Sequence, residues 1–170
     1  MKANSLHDLY VDELKDLYNA EQQLTKALPR MAKAANAKEL RAAFEEHLQV
    51  TEEQIGRLEQ IFEGMDMKPR GKKCAGMEGL VEEGKEFIKK KKEFEPEALD
   101  AALISAAQRV EHYEMAGYGT VRTYAQLLGY KDAARLLQET LNEEGETDKK
   151  LTQLAKKINV EAIEDGAEDE

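Results

Sequence analysis

The chain has 170 residues, 41% of them hydrophobic, which suits one domain with a single core rather than two independent ones. A formal charge of −10 opposes association with a phosphate backbone or an anionic membrane, so neither nucleic acid nor membrane is expected as a partner. The N-terminal Met1-Lys2-Ala3-Asn4-Ser5 lacks the apolar core of a signal peptide and a lone Cys74 allows no internal disulfide; both point to the cytoplasm.

Three prolines amid abundant Ala, Leu, Glu, Lys and Gln predict an all-α class. Ser5 and Asp8 read as a capping box that opens a first helix, its apolar stripe running Tyr10, Leu14, Leu17, Leu24 and Leu28. Pro29 predicts a kink, because the periodicity resumes at Met31 and Ala35. Asn36 with Glu39 gives a second capping signal, before a helix from Ala37 to Gly64 striped by Leu40, Phe44, Leu48, Ile55, Leu58 and Phe62. Met65 to Gly76, with Pro69 and Gly71, reads as a surface connector; Leu80, Val81, Phe87 and Ile88 then support a short helix ending at Lys89 to Lys92, a solvated face. Pro96 opens a third long helix that Gly129 closes. The fourth begins near Lys131 and carries Leu137, Leu141, Leu151, Leu154 and Ile158. Residues 161–170 are expected to form an acidic, flexible tail beyond a bundle spanning 1–160.

Two hairpins of long helices, joined by a crossover bearing a short extra helix, predict a ferritin-like four-helix bundle. Several polar residues interrupt the apolar stripes, and an ionised carboxylate there is costly unless paired or bound to a cation. They are Glu21 on the first helix, Glu111 and Glu114 on the third, and Glu144 and Asp148 on the fourth; His47, Thr51 and Gln54 occupy the same face of the second. Glu21, Thr51, Glu111, Glu114, Glu144 and Asp148 lie about 15 to 18 residues from their hairpin turns, or roughly 22 to 28 Å along the helix, and His47 and Gln54 bracket that level. Carboxylates with imidazole at one level suit iron, foremost as a di-iron site, or manganese. The candidate ligands are Glu21, His47, Glu111, Glu114, Glu144 and Asp148; the competing reading turns Glu21, Glu144 and Asp148 outward or pairs them with Lys or Arg. Cys74 has basic neighbours that would favour its thiolate.

The run Val110-Glu111-His112-Tyr113-Glu114, continuing to Tyr118-Gly119-Thr120, resembles the signature of the YciF/YciE family of bacterial stress proteins. Asp16–Leu24, Phe44–Gln54, Cys74–Glu83 and Leu137–Leu154 are similar to the same family in the same order. The resemblance implies a ferritin-like bundle, a homodimer and a stress-associated role without a defined reaction. Carried over by position, it implies Glu21, Glu111, Glu114 and Glu144 as metal ligands. Where that family often has His-Leu-x-Glu-Thr, this chain has His47-Leu48-Gln49-Val50-Thr51, which implies fewer ligands or a single metal. Two functions stay open: a di-metal protein oxidising Fe(II) with oxygen or peroxide, and a non-catalytic dimeric helical module acting through partner proteins.

Overall fold

The computed structural model describes residues 5–163; most of the expected acidic tail, from residue 164 onward, lies outside them. The described chain is all-helical: α1 Leu6–Ala34, α2 Lys38–Gly64, α3 Ala75–Lys89, a 3₁₀ turn Lys91–Glu93, α4 Pro96–Leu127 and α5 Lys131–Glu161.

Local chemistry sets the helix ends. The Ser5 hydroxyl accepts from the Asp8 amide at 3.1 Å, satisfying one orphan donor of α1. Pro29 lies inside α1 without ending it; the ring is exposed, and only the hydrogen bond to the carbonyl of residue 25 is forgone. Gly129, at φ +78°, closes α4 in a Schellman arrangement: Tyr130 N–H donates to the Ala125 carbonyl at 2.9 Å and Gly129 N–H to that of Gln126 at 3.2 Å.

The expected Asn36 cap is corrected by the structure. Ala37 is the N-cap of α2, with no side-chain bond of its own. The capping carboxylate comes instead from α4: Asp100 accepts from Asn36 N–H at 2.8 Å and Ala37 N–H at 2.7 Å, while Asn36 Nδ2 donates to the Pro96 carbonyl at 2.9 Å. The start of α4 is thereby pinned to the α1–α2 turn. At the other end, Tyr130 in the α4–α5 turn meets His7 and Tyr10 near the start of α1. The two hairpin turns thus lie at opposite ends, and the crossover carrying α3 runs the length of the molecule.

Neighbouring long helices are antiparallel: α1 packs on α2 and α4, and α5 packs on α4 and α2. The core divides into two apolar clusters. One joins Leu24, Leu28, Leu40, Phe44, Leu99, Leu103, Leu151 and Ile158; the other joins Tyr10, Leu14, Leu17, Leu58, Phe62, Tyr118 and Leu137. Between them every long helix carries buried polar side chains.

Candidate metal centre

The α1 stripe buries Glu21 between Leu17 and Leu24, and α2 buries His47, Thr51 and Gln54 on one face at helical spacing. From α4 come Glu111 and Glu114, one turn apart, and from α5 comes Glu144. Glu21, Glu111, Glu114 and Glu144 have no exposed surface, and His47 retains 4%.

One ligand atom each from His47, Glu111, Glu114 and Glu144 lies within 4.8 Å of the others, a spacing one cation could bridge. Glu21 adjoins this group, its carboxyl facing Glu114 and accepting from the Tyr118 hydroxyl at 2.5 Å. Gln54 Nε2 donates to Glu144, and His47 Nδ1 stands 3.4 Å from Glu111 Oε1, too far for a well-formed hydrogen bond. Among the described residues no donor reaches either oxygen of Glu111 or Glu114, Glu21 Oε2 or Glu144 Oε2; Thr51 Oγ1, Gln54 Oε1 and His47 Nε2 are likewise unpartnered there.

Burial is the largest influence on every titratable group here. It pushes Glu21, Glu111 and Glu114 well above the usual carboxylate range, and repulsion adds to it, led by Glu144 for Glu21 and Glu111 and by Glu21 for Glu114. Glu144 rises to about 7, burial again leading. His47 falls to about 4, so its imidazole is neutral and offers a lone pair. The carboxyls of Glu111 and Glu144 face each other, as do those of Glu21 and Glu114. Tyr118 and Gln54 satisfy one oxygen in each pair, and the oxygens left without a donor are relieved by a shared proton or by a cation. This donor set, oxygen-rich with one neutral imidazole, fits iron or manganese.

Not every expected ligand converges. The Asp148 side chain is 20% exposed; Oδ1 lies 3.3 Å from His112 Nε2 and accepts from Gln108 Nε2 at 3.1 Å, on the α4–α5 rim. Val50 is half-buried on the α2–α5 seam rather than inside the cluster. Sequence reasoning missed Arg57, which grips Glu143 with both terminal guanidinium nitrogens at 2.6 Å, fixing α2 against α5 beside the site. It missed Asp100 too, although Leu103 and Ile104, three and four residues on, mark its face as buried. The thiolate expectation for Cys74 is reversed: the thiol is fully buried at the N-cap of α3, 3.0 Å from the Tyr113 hydroxyl, and burial raises it.

Residues 5–164 match the family described as "Domain of unknown function (DUF892)". Over 156 residues the chain is 48% identical to Protein YciF of Escherichia coli (strain K12), covering 91% of this chain and 93% of that protein. The crystal structure of the E. coli stress protein YciF is similar at a TM-score of 0.89, covering 94% of this chain and 99% of that one. YcfI, a putative structural protein from Rhodopseudomonas palustris, is 41% identical with a TM-score of 0.83, covering 88% of this chain and 94% of its own.

Proposed function

Because the chain belongs to the DUF892 family as a relative of the stress protein YciF, we propose that it is a ferritin-like, stress-associated metal-binding protein. It holds iron, foremost as a two-ion centre, or manganese between its helices, and oxidises Fe(II) with dioxygen or peroxide. The observation that carries this reading is the set of buried, unpartnered carboxylate oxygens on three helices around a neutral imidazole. His47, Glu111, Glu114 and Glu144 would hold one ion, and Glu21, facing Glu114, extends the site toward a second. Iron held there would supply electrons, one from each of two Fe(II), enough with two protons to convert one hydrogen peroxide to two waters.

The remaining roles belong to the protein. Tyr118 holds Glu21, and Gln54 holds Glu144, each through one oxygen, so the other oxygen stays free for a ligand. The facing carboxyl pairs shed their protons when a cation replaces them, a local proton source for the reduction. The two apolar clusters keep bulk water from the layer. The family resemblance adds a homodimer to the proposal, and the lone cysteine a cytoplasmic location.

A second reading, favoured by the Gln54 bond to Glu144 and by carboxyls that burial drives toward protonation, is a non-catalytic helical module with a neutral polar layer. Anaerobic Fe(II) loading followed by elemental analysis separates the two. Metal binding predicts about two ions per chain, loss of most of them in Glu111→Ala and Glu144→Ala, and oxidation on adding peroxide. No metal above trace, with those variants altering stability alone, would establish the module instead.

A further inference from the structure

The buried cluster needs a route from solvent, and the four long seams differ in what they offer. His47 is the member of the cluster that retains solvent contact. It also lines a cavity of about 30 Å³ between α2 and α5, with Glu46, Val50, Thr147 and Lys150. That volume holds about one water. At its mouth Lys150 pairs with Glu46 through side chains 45% and 63% exposed, long and free enough to swing aside. Among neighbouring long helices, α2 and α5 are the most sparsely packed pair.

The other surface depressions stop short of the site. One of about 890 Å³ sits at the bundle end around Tyr10 and Tyr130. The groove on the α4–α5 face ends on Ile104 and Ser105, and the small apolar space under α3 on Leu24 and Val110. A groove of about 310 Å³ between α1 and α2 is lined by Pro29, Lys33, Arg41 and Leu48, and none of these four depressions includes a residue of the cluster.

We propose that hydrated divalent cations enter through the α2–α5 seam, past Val50 and the Glu46–Lys150 pair, and meet the His47 imidazole first. This rests on the metal-binding reading above and deepens it. Glu46 offers an approaching cation a carboxylate, and Lys150 occupies that carboxylate until it is displaced. Val50, apolar and half-buried, sets the width of the passage and supplies no ligand that would trap the ion short of the cluster.

The test mixes metal-free protein anaerobically with Co(II), follows the visible absorbance of the bound ion, and measures final stoichiometry by elemental analysis. Val50→Trp fills the seam and is expected to slow loading on the order of tenfold while leaving the final stoichiometry unchanged. Lys150→Gln frees Glu46 and removes a repelling charge, so loading speeds several-fold, more strongly at low salt. Ser105→Trp, an equally bulky change on the α4–α5 face, leaves the rate as it was. An unaltered rate in Val50→Trp, or equal slowing in Ser105→Trp, overturns the route. Should Val50→Trp lose stoichiometry as well, Lys150→Gln decides: an unchanged rate there overturns it. A wild-type protein that binds neither Co(II) nor Fe(II) at equilibrium removes the metal-binding function itself, a failure distinct from that of the entrance.

Discussion

Asp100 shows how one buried carboxylate can be satisfied without metal. It is 2% exposed, yet each of its oxygens meets a backbone N–H at the start of α2. Two charge-assisted bonds, one from the N-cap amide of α2 and one from the turn residue before it, offset the desolvation. Asp100→Ala leaves both amides unpaired beside the core and is expected to cost on the order of 2 kcal/mol in urea unfolding. Asp100→Asn, which keeps one acceptor, should cost less; equal stability of wild type and Asp100→Ala would refute the cap. Glu114 has the opposite balance, since neither of its oxygens has a donor. Glu114→Gln removes a charge that repels Glu21 and Glu144, so the metal-free protein at pH 8 should gain about 1–3 kcal/mol in the same assay. That variant should also bind less metal.

The helices themselves were legible because an apolar residue every three or four positions marks a buried stripe whatever it packs against. Glu21, Glu111, Glu114 and Glu144 were legible for the same reason, being flanked on their own stripe by buried Leu, Val or Tyr. Asp148 was not. Four residues after Glu144 it is rotated about 40° around α5, and its shorter side chain settles on Gln108 and His112 at the rim. Depth measured from the hairpin turns placed the polar residues at one level because the helices run 27 to 32 residues and their midpoints coincide. The turns lie at opposite ends, which no spacing within one hairpin reveals. Nor does local spacing reveal pairs joined across the crossover, such as Asp100 with Ala37 or Cys74 with Tyr113. That crossover is anchored on α1 and α4: Lys72 pairs with Asp12, Cys74 N–H donates to Asn19 at 2.8 Å, and Cys74 Sγ lies 3.0 Å from the Tyr113 hydroxyl, which itself reaches Asp16 at 3.2 Å. At Gly76 an added methyl would come within 2.6 Å of the Tyr113 hydroxyl. Gly76→Ala is therefore expected to push Tyr113 off Cys74 and loosen the start of α3. Faster labelling of Cys74 by a thiol reagent, and faster amide exchange in α3, would report it; wild-type labelling rates would contradict it.

At the scale of the whole molecule, the polar layer couples stability to pH and to cations at once. Folded Glu144 sits near 7, and Glu21, Glu111 and Glu114 also lie above the usual carboxylate range. Groups whose folded values are raised bind protons more tightly in the native state, so their contribution is full below the unfolded value and is lost as pH rises through the folded one. His47 works the other way: lowered to about 4, it contributes above its ordinary value of 6.5 and loses that contribution as pH falls toward 4. Above pH 6.5 the histidine contribution is therefore flat, and the carboxyls alone set the slope. Metal-free protein should lose on the order of 5–10 °C in thermal midpoint between pH 6.5 and 8.5. A bound divalent cation removes the need for those protons and itself stabilises the native state, so the loaded protein should show a flat or rising midpoint over the same range. Calorimetry on metal-free and Mn(II)-loaded protein tests both halves. Parallel pH profiles with and without Mn(II) would mean that the cation does not occupy the place of those protons, and that the layer is held by something other than exchange between the two.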